Sequence, residues 1–74
     1  MDVRVNTPGQ CKVVVYNIAG EEVVKLLDQN EAAGNYRVFW NGKNRNGAIV
    51  GNAVYFVVVV SPDGHMVRQV ILLK

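Results

Sequence analysis

Seventy-four residues, half of them hydrophobic, with eight basic and six acidic residues for a net charge of +2, describe one small domain too apolar for disorder. Its charges are thinly spread, with no basic stripe to track a phosphate backbone, which argues against nucleic acid as a partner. No apolar run approaches the roughly 18 residues that a membrane-spanning helix needs; Val54 to Val60, with Ala53 before it, ends at Ser61.

Val3-Arg4-Val5 alternates and reads as a short first strand. Thr7-Pro8-Gly9 turns the chain, since Pro fixes φ and Gly permits a positive one. Gln10 to Tyr16 is a β-branched run of period two, with Cys11, Val13 and Val15 on one face and Lys12, Val14 and Tyr16 on the other. Asn17-Ile18-Ala19-Gly20 makes a hairpin-like turn with Gly20 at positive φ. Glu21 to Leu27 resumes as a strand, although the spacing of Val23, Val24, Leu26 and Leu27 also suits a short helix. Asp28 to Gly34 is then a loop.

Tyr36 to Trp40 is the clearest strand, with Tyr36, Val38 and Trp40 on one face. Asn41 to Gly47 reads as a hairpin connection whose Asn and Gly residues tolerate the left-handed region. Ala53 to Val60 is a strand without polar interruption. Ser61-Pro62-Asp63-Gly64 signals a tight hairpin turn, with Gly64, like Gly47, expected at φ > 0, and His65 to Leu73 returns as the last strand. Six or seven short strands, no convincing helix and no internal repeat predict an antiparallel β-sandwich that occupies residues 1–74 as a single domain.

No group of residues here can do covalent chemistry. Cys11 is the sole cysteine, so it forms no internal disulfide, and its place in an alternating apolar run predicts a buried thiol. His65 lies beside the Asp63-Gly64 turn without an oriented partner or a nucleophile, and reads as solvated. Glu21 and Glu22 are strand neighbours that point to opposite faces, a poor acid pair. The loop Asn41 to Gly47 contains no carboxylate and sets Lys43 and Arg45 against any cation. We therefore expect no catalytic residue, no cofactor and no metal, and the chain does not read as an enzyme.

Parity supplies the one candidate surface. Trp40, Cys11, Val13, Val15, Val38, Tyr55, Val57 and Val59 form the predicted core. If Tyr55, Val57 and Val59 point inward, Val54, Phe56, Val58 and Val60 point outward, and Phe39 does the same opposite Trp40. A face expected to be polar is apolar, as in a strand covered on both sides or a contact surface. The plainer explanation is that long neighbours such as Arg37 and Arg68 cover it with their stems.

Val15-Tyr16-Asn17-Ile18-Ala19-Gly20-Glu21-Glu22-Val23, Ala33-Gly34-Asn35-Tyr36-Arg37-Val38-Phe39-Trp40-Asn41-Gly42, Asn46-Gly47, Val54-Tyr55-Phe56 and Val70-Ile71-Leu72-Leu73-Lys74 follow one another in a telling order. That order resembles the Ig-like domain of the flagellar hook-capping protein, and equally the C-terminal sorting-type domains of secreted bacterial proteins, from about Val3 to Lys74. Asn17 and Asn41 stand where that pattern usually has Asp, and Ala53 where it usually has Gly. The two Asn residues remove acidic groups that a metal role would use.

The resemblance implies an Ig-like, fibronectin-III-like sandwich serving as a non-catalytic C-terminal accessory module of a larger secreted or cell-surface bacterial protein. Its role would be sorting, attachment or assembly through contact with a neighbouring domain, the export or assembly machinery, or a second copy. The expected location is extracytoplasmic; Met1-Asp2-Val3-Arg4-Val5 has neither the basic nor the apolar block of a signal peptide, so a signal would lie outside these residues. The alternative is a carbohydrate-binding module of a secreted hydrolase, with Trp40 and Tyr55 as a stacking pair. It requires those rings exposed, whereas the pattern turns them inward.

Overall fold

The computed structural model describes residues 2–73; Lys74, the basic end of the apolar tail, lies outside them. Six strands form among these residues: β1 (Asp2–Val5), β2 (Gly9–Tyr16), β3 (Glu22–Glu31), β4 (Gly34–Arg37), β5 (Ala53–Ser61) and β6 (Gly64–Leu72). All pairings are antiparallel, in a four-stranded sheet of order β3-β2-β5-β6 and a two-stranded sheet of β1 and β4. The described residues contain no helix.

The two sheets meet like the layers of a sandwich. Val3 and Val5 of β1, with Val38 just beyond β4, join Cys11, Val13, Val15, Val23, Tyr55, Val57 and Val59 in one buried cluster. Burial of a Val side chain contributes roughly 1.5–3 kcal/mol, and valine's branched Cβ suits the pleat. This is why so short a chain uses it so often. Cys11 is 1% exposed and its Sγ contacts the Gly9 carbonyl at 3.6 Å. Burial pushes its thiol pKa up, and the expectation of a buried thiol holds.

β3 resolves the choice between strand and helix. Val13 pairs with Leu27 and Val14 with Lys25, then Val15 pairs with Val24 and Tyr16 with Glu22. Leu26 and Val23 are therefore extra residues at two irregularities of the ladder. A bulge sets two residues opposite one and breaks the period of two. Both members of each apolar doublet, Val23-Val24 and Leu26-Leu27, consequently pack on the core. What looked like helical spacing is the spacing of a bulged strand.

Three expected boundaries change. Asp28 to Glu31 is not loop but the end of β3, because Gly9 to Lys12 extends β2 far enough to pair with it. The strand expected to reach Trp40 ends at Arg37, whose partner Asp2 is the first described residue of β1. The segment from Asn41 to Gly47 is not a hairpin connection, since β4 and β5 belong to different sheets. It is a crossing between layers, in which Lys43 bridges Ile49 and the Val50 amide donates to the Gly42 carbonyl at 3.0 Å.

Within that crossing the Asn residues work through their side chains. No described residue other than glycine has positive φ. Asn44 Oδ1 accepts from the amides of Asn46 and Ala48, each at 3.0 Å, and Gly47 sits at φ 82°. The turn after β2 repeats the device: Asn17 Oδ1 accepts from Ala19 and Glu21 at 3.0 and 2.9 Å, with Gly20 at φ 82°. Both loops share the spacing Asn-x-x-Gly-x, an Asx-type closure. The second loop is also tied to β3, the Arg45 amide donating to the Val23 carbonyl at 3.1 Å.

Candidate interaction surfaces

The outer face of the four-stranded sheet is built by rows of cross-strand neighbours. Tyr16 stands beside Phe56 and Phe56 beside Gln69; Val14 beside Val58 and Val58 beside Val67; Val54 beside Ile71. Their inward neighbours Val13, Val15, Tyr55, Val57 and Val59 fill the core, and successive strand side chains point to opposite faces. Val14 is buried among its own neighbours at the centre, while Val54, Phe56 and Val58 are half-buried and Val60 is 44% exposed. On β6, Val67 and Ile71 are 56% and 62% exposed.

No arginine covers this face. Arg37 lies on β4 in the other sheet, where its Nε meets Asp2 Oδ1 at 3.3 Å. Arg68 pairs in register with the core residue Val57 and so stands on the inner side of β6. Neither arginine supplies the stem cover, because register, not chain proximity, decides which face a long side chain serves; on this face register sets Lys25 beside Val14 and Lys12 beside Val60.

Phe39 belongs elsewhere. It is 81% exposed and, with Val38 and Trp40, lines a groove of about 600 Å³ between the layers, facing Arg68 and Leu72 of β6 and Asp2 of β1. The structure thus brings Val54, Phe56, Val58 and Val60 together and separates Phe39 from them. Val14, Tyr16, Val67 and Ile71 complete the apolar face; strand pairing, which no single strand's alternation contains, identifies them.

Trp40 is half-buried rather than enclosed. Its ring meets that of Tyr55 edge to face, with centroids 5.1 Å apart and planes at 69°, a favourable aromatic geometry. Trp40 Nε1 donates to the Lys43 carbonyl at 2.9 Å, and Tyr55 Oη to the Gly51 carbonyl at 2.8 Å. Tyr36, also against the core, has its phenol pKa raised, first by burial and then by nearby Glu31. His65 is exposed. Among the described residues no group of His, Cys, Asp or Glu is placed to hold a metal ion.

Comparison with protein-family models, with curated proteins and with solved structures returns no match.

Proposed function

We propose that this chain is a non-catalytic, Ig-like accessory module of a larger extracytoplasmic protein and works through protein contact in sorting, attachment or assembly. The observation that carries the reading is the apolar outer face of the four-stranded sheet, where Val54, Phe56, Val58 and Val60 lie together uncovered by either arginine. Solvated sheet faces are normally polar, and contiguous apolar patches of several hundred Å² mark contact sites. The order of sequence segments, which resembles that of hook-capping and sorting-type domains, supports the setting. The edge-to-face contact of Trp40 with Tyr55 presents no flat stacking platform, which weighs against carbohydrate binding.

The test is to place charge on the face. Phe56→Lys and Val58→Lys, at half-buried positions, are expected to melt no more than about 8 °C below the parent, the equivalent of roughly 1 kcal/mol. They are also expected to lower binding of an apolar-surface dye such as ANS. A loss of about 10 °C or more, equivalent to at least 1 kcal/mol in a domain this size, would show these side chains to be structural core and overturn the reading.

A further inference from the structure

Four strands stand at the edges of the two sheets, and three of them are defended. β3 is bulged twice and carries Glu22, Lys25, Asp28 and Glu31. β1 and β4 are four residues each and bear Asp2, Arg4 and Arg37. Short length, bulges and charges are the devices that keep edges from pairing with another chain.

β6 has none of them along most of its length. It runs nine residues, pairs with β5 without irregularity from Gly64 to Leu72, and carries one formal charge, Arg68. Met66, Val67 and Ile71 are exposed along it. A long, regular, apolar edge is a ready template for strand addition.

We propose that β6 pairs antiparallel with β6 of a second copy, with Gln69 on the twofold axis. Centres toward either end, at Met66 or Val70, overlap less of β6 (Gly64–Leu72) than one at Gln69, and three exclusions decide among the rest. Centring on Arg68 gives the longest overlap but sets two guanidiniums opposite each other, which is destabilising. Centring between residues turns inner side chains of one copy toward the outer face of the other. Centring on Val67 leaves Ile71 beyond the ladder and opposes His65 to Gln69. With Gln69 on the axis, Val67 meets Ile71 on the outer face, Met66 meets Leu72 on the inner face, and Arg68 lies against Val70. This pairing rests on the reading of the outer face as a contact surface, because it joins two such faces into one continuous sheet.

Sedimentation across a concentration series, combined with cysteine trapping, tests it. The parent is expected to associate with rising concentration, and Val67→Lys to weaken that association by about tenfold or more, as edge lysines do. Phe56→Lys, one strand in from the edge, is expected to leave it intact. Opposed residues of an antiparallel pair have Cα atoms about 4.5–5.5 Å apart, within the roughly 4.4–6.8 Å that a disulfide spans. Gln69→Cys is therefore expected to give a covalent dimer under mild oxidation. Val67→Cys and Ile71→Cys are each expected to give no covalent dimer alone and to cross-link when mixed. The parent, its Cys11 buried, is the silent control. A domain monomeric throughout, a dimer indifferent to Val67→Lys, or failure of Gln69→Cys to cross-link overturns the proposal. A dimer dissolved by Phe56→Lys overturns it in favour of face-to-face packing. Each leaves the contact-face reading to be decided by its own melting and dye measurements.

Discussion

Single asparagines close the two exposed loops that shape one end of the molecule. Asn17 and Asn44 each offer one carbonyl oxygen to two backbone amides, so each substitutes for turns the backbone does not complete alone. Removing such an acceptor costs about 1 kcal/mol. Asn44→Ala should lower the melting temperature by roughly 4–8 °C. An aspartate keeps the acceptor, but its surroundings differ at the two sites. Asn17 Nδ2 donates to Glu21 Oε1 at 3.2 Å, so Asn17→Asp exchanges that bond for like-charge repulsion. Asn44 has Arg45 beside it in the chain. The expected order is that Asn44→Asp melts near the parent and Asn17→Asp below it, with the gap closing in high salt.

β3 shows how an irregular ladder changes what a substitution does. In an unbroken strand one of two adjacent residues faces solvent, and replacing it is nearly free. Here Leu26 and Leu27 both pack on the core from opposite Val13. Leu26→Ser and Leu27→Ser should each destabilise the domain, by about 1 kcal/mol for half-buried leucines. Lys25→Ser, between the bulged pairs, should fall within about 0.5 kcal/mol of the parent. Chemical denaturation of the three variants checks this. A harmless Leu26→Ser would mean that the ladder runs without the bulge. The neighbouring strand places a second constraint on the fold, because a Cβ at Gly9 would come within 2.6 Å of Pro62 Cγ. A pyrrolidine ring has little freedom to yield.

At the scale of the whole molecule, the turn from β5 to β6 is tied back to the loop after β1. Asp63 Oδ2 accepts from the amides of Asn6 at 2.9 Å and Thr7 at 3.4 Å. The backbone bond from Asn6 is the largest influence holding the Asp63 carboxyl below its ordinary value, followed by Thr7. A carboxylate whose folded pKa is depressed adds stability above its unfolded pKa, near 3.9, and loses it as pH falls through the folded value. Asp63→Asn should therefore be less stable than the parent from pH 7 down to about 5, and the gap should narrow below about 4. Paired thermal melts across that range check the sign. A gap that widens in acid would mean that Asp63 is not the acceptor.

The sequence by itself determined the all-β class, the strands around Val3, Val13, Val57 and the C-terminal tail, and the core face of Cys11, Val13, Val15, Tyr55, Val57 and Val59. These follow from period two and turn chemistry, which are local. It also predicted positive φ at Gly47 and Gly64, observed at 82° and 127°. Tertiary structure decided the rest. Which strand pairs with which set the end of β4 at Arg37, extended β3 to Glu31, and made the Asn41–Gly47 loop a crossing between sheets. Pairing also split the candidate surface, sending Phe39 to the groove and adding Val14, Tyr16, Val67 and Ile71 to the face. Alternation along one strand tells which side chains share a face. Only the register between strands, a property of residues distant in the chain, tells what stands beside them.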